Sequence, residues 1–149
     1  MWQILTLLTL GMASMSVQGL QMPCHNCDGK SVDTCKTVEI EPCAASPCSL
    51  AKGTTVKFSV SFVANKAANN LTADVHAQVF GAWMPFSLPN PDGCQSGIQC
   101  PVQAGQTYSY QNQLAILPLY PSMNVVVKWS LKDEDNNEVF CVVMPARIV

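Results

Sequence analysis

Charge is scarce in this chain. Lys and Arg number 8 and Asp and Glu 10 among 149 residues, so 12% are charged against a usual ~25%. The net charge is −2. No cluster of basic residues occurs, which excludes the electrostatic footprint of a nucleic-acid binder. Histidine is scarcer still, with His25 and His76 alone. There is no glycine-rich phosphate loop, no G-x-S-x-G elbow and no H-E-x-x-H pair, so the usual phosphoryl-transfer, serine-hydrolase and zincin chemistries are excluded. The carboxylates are scattered over turns and strand edges. A spatial pair such as Asp74 with Asp92 is the one acid–base arrangement to check, and no catalytic residue is assigned. Helical periodicity, internal repeats and low-complexity tracts are also missing.

The first residues are apolar instead. Met1–Gly19 carries no charge and holds an apolar run from Trp2 to Met15, with small residues around Val17-Gln18-Gly19. The expectation is a secretory signal peptide over residues 1–19, although a basic start is missing, and a secreted domain over residues 20–149. A membrane anchor is the rival reading. The run is shorter than the ~20 residues a spanning helix needs, and Gly11 and several hydroxyl residues break it. No later stretch is long and apolar enough to span. Residues 20–149 suffice for one domain with a sizeable core.

Cysteine is plentiful. All eight, at 24, 27, 35, 43, 48, 94, 100 and 141, follow the expected signal. An even count in a secreted chain reads as disulfides. By spacing, Cys43–Cys48 and Cys94–Cys100 are natural local rings, and Cys24 or Cys27 to Cys141 would tie the ends together. On a chain-entropy model each ring is worth ~2 kcal/mol and the long bridge ~5 kcal/mol. Cys24-His25-Asn26-Cys27 has metal-like spacing, but a structural zinc site wants four ligands and His76 is the only other histidine. No metal or cofactor is expected.

Period-two alternation dominates the rest. Val38 and Ile40 share a face in Thr34–Glu41. Val56, Phe58, Val60 and Phe62 alternate with Lys57, Ser59 and Ser61, which is a half-buried strand. Thr72–Phe80 carries Val75, Ala77 and Val79 in phase, with His76 on the other face as a structural or surface residue. Thr107–Leu114 alternates again. Val125, Val127, Trp129 and Leu131 line one face of another strand. Asp133–Asn137 is a polar hairpin turn that fails the calcium-loop pattern. Val139–Met144 returns, and Pro145–Val149 reads as an apolar tail. The expected fold is all-β, an immunoglobulin-like β-sandwich of about seven strands in two antiparallel sheets. Asn70-Leu71-Thr72 is an N-glycosylation sequon, which argues for an exposed position. Trp83 and Met84 fit either the core or a pocket rim.

One stretch resists the pattern. Pro85-Phe86-Ser87-Leu88-Pro89-Asn90-Pro91-Asp92-Gly93-Cys94 continues to Cys100-Pro101. Its four prolines exclude a helix and a central strand, and Pro-Asp-Gly is a turn signal. Phe86 and Leu88 therefore pack under the loop or line something. A sandwich whose sheets splay apart would leave a cavity lined by in-facing strand residues, with such stiffened segments at its mouth.

This stretch closely resembles the Niemann–Pick type C2 family of secreted lipid carriers. The resemblance continues in Pro42-Cys43, Pro47-Cys48, Lys52-Gly53, Val75-His76, Thr107-Tyr108-Ser109-Tyr110, Tyr120-Pro121-Ser122, Val126-Val127-Lys128-Trp129 and Phe140-Cys141. It covers nearly all of residues 20–149. It implies an ML lipid-recognition sandwich with a hydrophobic cavity between the sheets, bridged by Cys27–Cys141, Cys43–Cys48 and Cys94–Cys100. Cys24 and Cys35 fall outside that pattern and are expected to pair. The family's pocket positions fall on Phe86, Ile116, Tyr120, Pro121 and Trp129, with Met84 and Val142 beside them. Val142 stands where a mammalian sterol carrier would place a tryptophan. Trp83 replaces a small residue or proline, and Gln95 an expected basic residue.

The function so implied is non-enzymatic. A monomer, secreted to an extracellular or lysosomal space, holds a sterol or fatty-acid-like lipid and passes it to a membrane surface or lipid-accepting receptor. A carrier of fatty acids or semiochemicals in chemosensory fluid, and an immune module recognising microbial lipids, are the alternatives.

Overall fold

The computed structural model describes residues 11, 19–22, 27 and 34–149. Nine strands follow in order: β1 (Leu20–Met22), β2 (Cys35–Glu41), β3 (Cys48–Leu50), β4 (Thr55–Val63), β5 (Leu71–Val79), β6 (Ala82–Phe86), β7 (Thr107–Ala115), β8 (Met123–Asp133) and β9 (Glu138–Ile148). They build an immunoglobulin-like sandwich. One sheet runs β1-β2-β4-β7 and the other β3-β9-β8-β5-β6. Among the described residues the only helical element is a 3-10 turn at Gly93–Gln95. No helix among them is long and apolar enough to cross a membrane.

The long strands arise from their alternation. In β4, Val56, Phe58, Val60 and Phe62 are buried. In β8, Val125, Val127, Trp129 and Leu131 are buried opposite them. Facing apolar rows from two sheets make one core.

The sandwich is the one expected from sequence, and three details of its strands differ from the sequence reading. First, β3 is a three-residue strand pairing parallel to β9, with Cys48 opposite Ala146 and Leu50 opposite Ile148. Second, β9 does not stop at Met144 but continues through Pro145 to Ile148. The proline is tolerated because β3 begins only at the level of Ala146, so no ladder partner there needs an N–H. Third, Phe80 does not belong to β5. With Gly81 it makes a two-residue hairpin loop, φ 50° and 80°, as a type I′ turn requires. Pro85 is accommodated because β6 is an edge strand.

The proline-rich stretch leaves β6 and ends in a small ring. Asp92 accepts a hydrogen bond from the Cys94 N–H at 2.9 Å, capping the 3-10 turn. Gly93 is needed for closeness: a Cβ there would meet Leu131 and Leu71 at 2.7 Å. Cys94–Cys100 closes the ring. The ring lies along β7, where the Gln111 N–H donates to Ser96 O at 2.8 Å, and Gly97 packs on Ser109 O. Further along, Asn112 Oδ1 takes the Gln113 N–H at 2.7 Å.

Cys43–Cys48 and Cys27–Cys141 are also bridged. Cys35 is disulfide-bonded. Its expected partner Cys24, together with His25 and most of residues 1–19, lies outside the described residues.

An apolar slot between the sheets as the candidate functional site

The core has two unlike halves. At one end, aromatic rings fill the space between the sheets. Phe62, Tyr110 and Phe140 are fully or almost fully buried, and Phe140 lies 5.5 Å from both Phe62 and Tyr110. Phe58 of β4 stacks on Trp129 of β8 at 4.3 Å, spanning from sheet to sheet. Polar ties fix this layer. The Trp129 indole N–H donates to the Tyr110 hydroxyl at 3.1 Å, and Asn112 Nδ2 donates to the same oxygen at 2.9 Å. Burial pushes the Tyr110 hydroxyl above its ordinary pKa, partly offset by its bonds to Asn112 and Trp129. Rings locked by buried hydrogen bonds have little freedom to repack.

The other half is aliphatic and less completely filled. One cavity of about 30 Å³ lies against Ile40, Leu50, Val56, Leu114, Val127 and Met144, with Phe58 and Trp129 as its floor. A second, of about 20 Å³, lies between Leu50, Ile116, Val125, Val127, Phe86 and Tyr120. Leu50, Leu114, Ile116 and Val127 belong to both walls. No charged side chain lines either one. Beyond the second cavity lies an open depression of about 390 Å³ lined by Met84, Pro85, Phe86, Tyr120, Pro121 and Met123. Phe86 and Tyr120 wall both spaces. Their rings meet edge to face at 5.1 Å, and they separate inside from outside.

Together these spaces trace one slot, from the depression past Phe86 and Tyr120 down to Trp129. Met123 to Trp129 is six steps along β8, or ~20 Å at 3.3 Å per residue. The interior cavities are an order of magnitude below the ~300–1,000 Å³ of a small-molecule pocket. The slot is narrow. Its lining is mostly aliphatic, with Met144 the most adaptable side chain, above an aromatic floor held by hydrogen bonds.

The site residues expected from sequence distribute as follows. Trp129 is the floor, Ile116 the middle wall, Phe86 and Tyr120 the closure, and Met84 and Pro121 the outer rim. Val142 is buried beside Trp129 on the neighbouring strand but lines neither interior cavity. Met84, 52% exposed, lines the depression, whereas Trp83, 42% exposed, lies on the outer face of the sheet with the Lys128 ammonium 4.5 Å over its ring, so neither belongs to the core. Leu50, Leu114, Val127 and Met144 line the slot but were not singled out as site residues. Leu50 sits on a three-residue strand that periodicity cannot register. Val127 showed its in-facing phase and nothing more.

The polar residues weighed for chemistry are engaged elsewhere. Asp74 lies 3.5 Å from His76 and 3.9 Å from Lys132, while Asp92 caps its own turn. Among the described residues no group of three metal-ligating side chains converges. Asn70 is exposed at the start of β5. Val79 at the mouth is nine steps further on, ~30 Å along the strand. The Glu134 carboxylate accepts from the N–H of Asn69 at 3.1 Å and of Asn70 at 3.3 Å.

Fold and slot together define a β-sandwich with an apolar slot in its own core, the architecture of an ML domain. Comparison with known proteins agrees. The ML-domain profile matches residues 21–148. The NPC intracellular cholesterol transporter 2 of Mus musculus is 41% identical over 127 residues, 85% of each chain. That of Sus scrofa is 41% identical over 136 residues, 91% of each chain. The crystal structure of a Niemann-Pick type C2 protein from the Japanese carpenter ant superposes with a TM-score of 0.77 at 22% identity, covering 86% of this chain and all of that one. The chain belongs to the ML-domain family.

Proposed function

We propose that this protein is a secreted, monomeric carrier that takes one apolar lipid, of the sterol class, between its sheets and releases it chemically unchanged. The observation that carries this reading is the continuous uncharged slot, closed by two aromatic rings and floored by Trp129. Each 100 Å² of apolar ligand surface sealed there contributes ~2.5 kcal/mol, so affinity needs no charged contact. Against that stands the cost of parting the aliphatic half of the core. The relatives named as cholesterol transporters support a sterol over a fatty acid. Exposed apolar side chains at the mouth, Met84 in the depression and Leu119 next to Tyr120, support delivery at a membrane or an apolar acceptor surface. An Asn70 glycan would sit at the far end and leave the mouth free.

Native mass spectrometry of the secreted protein, followed by titration with labelled cholesterol and labelled oleic acid, tests the reading. The expected result is one sterol per chain and no fatty acid. Oleic acid bound in preference to cholesterol would overturn the sterol assignment. Phe86→Ala and Tyr120→Ala should both weaken retention while secretion continues.

A further inference from the structure

The loop of residues 117–122 carries Tyr120, and the way it is held is unusual. It leaves the sandwich at Ile116 and returns at Met123. Both ends are firmly fixed. Ile116 exchanges hydrogen bonds with the β3–β4 turn, its N–H donating to Thr54 O at 2.9 Å and its carbonyl accepting from Gly53 N–H at 2.6 Å. Met123 is paired to Ile148 in the sheet. In between, Tyr120 N–H bonds to Leu117 O at 3.1 Å, inside the loop. Among the described residues, one hydrogen bond ties the loop's interior to the rest of the protein. The Lys52 ammonium donates to Ser122 Oγ at 2.7 Å.

Lys52 is well placed to hold it. Its own N–H donates to Val149 O at 3.0 Å, and the Val149 N–H donates to Leu50 O at 3.0 Å. The turn that presents Lys52 is thus bound to the ends of β3 and β9 and to the exit of β7. Pro118 and Pro121 stiffen the loop, so it moves as a unit about its fixed ends. Ser122 is two residues from Tyr120, which closes the slot against Phe86.

We infer that Lys52 is a positioning residue for ligand exchange: its bond to Ser122 latches the 117–122 loop so that Tyr120 stays against Phe86, and breaking that bond opens the mouth. This rests on the carrier reading. A latch differs from a ligand contact in its kinetic signature. It lies on the path in and on the path out, and it touches no ligand. Its removal speeds entry and exit together and leaves the dissociation constant nearly unchanged.

The test compares wild type with Lys52→Met, Ser122→Ala, the double variant and Lys52→Arg. Binding and release of a fluorescent sterol are followed by stopped flow, with excess unlabelled sterol in cyclodextrin as competitor. Hydrogen exchange of residues 117–122 is measured on the lipid-free protein. One hydrogen bond of this kind corresponds to a rate change of about two- to tenfold. Both single variants should speed entry and release by that factor. The double variant should be no faster than either, and Lys52→Arg should stay near wild type. Exchange across the loop should rise in Lys52→Met. Unchanged rates, additive effects, or a change in release alone would overturn the latch. Wild type that binds no sterol would overturn the carrier reading instead, and the exchange data then decide the latch: no rise in Lys52→Met sinks it.

Discussion

Val127 offers the sharpest test of where the ligand lies. Its side chain walls both interior cavities, whereas that of Val126, next on β8, points to the opposite face. Val127→Phe puts a ring where the cavities meet. They measure about 30 and 20 Å³, too little for the added group without movement of Leu114, Ile116 or Met144. Overpacking of this kind costs ~1–3 kcal/mol, which a domain stable by ~5–15 kcal/mol survives. If the ring removes only ~60 Å² of ligand contact, ~1.5 kcal/mol is lost, more than tenfold in affinity. Val126→Phe is the control, with the same residue change on the same strand. Fluorescent-sterol titration alongside urea unfolding of both variants separates binding from folding. A folded Val127→Phe that binds as wild type would refute a ligand between the sheets, and so would an equal loss in Val126→Phe.

Three further outcomes are expected. Tyr110→Phe leaves the buried Trp129 N–H without its partner and should cost ~1–3 kcal/mol in urea unfolding. Because the folded pKa of Tyr110 lies above the unfolded value, its stabilisation is whole below ~10 and fades as pH climbs through the raised value; the variant should lack that alkaline limb. Glu134 is held below the usual carboxylate range by its own N–H and those of Asn69 and Asn70, so its contribution is present above ~4.3 and disappears as pH falls through the depressed value. Amide protection factors at Asn69 and Asn70, corrected for the intrinsic pH dependence of exchange, should therefore fall on acidification in wild type, and be lowered already at neutral pH in Glu134→Gln. Replacing Cys94 and Cys100 together by serine should lower stability by ~2 kcal/mol in urea unfolding.

Strand interiors were legible where one face is buried. β4 and β8 show this: Val56–Phe62 and Val125–Leu131 alternate because each pleat faces core and solvent in turn. What periodicity could not register was set by partners distant in sequence. β3 is a strand only because β9 lies beside it, and Pro145 is acceptable only because β3 starts one residue later. Phe80 in a positive-φ turn contradicts its β propensity, and hairpin geometry decides. At the site, the aromatic residues Phe86, Tyr120 and Trp129 stood out, and the slot joins them along one line. The tie that fixes the floor was hidden for a different reason: Tyr110 meets Trp129 across the sandwich, and nothing local in Thr107–Leu114 singles out its hydroxyl.

The Cys94–Cys100 ring has a consequence beyond its own stability. β7 is the outermost strand of its sheet, nine residues long, and a bare edge of that length is a template for a second copy. Ser96 O, Gly97 and the Asn112 amide occupy that edge at Gln111, Ser109 and Gln113. Without that cover, the backbone groups of β7 would stand open to pairing. The ring thus guards the edge of β7 against strand-by-strand polymerisation.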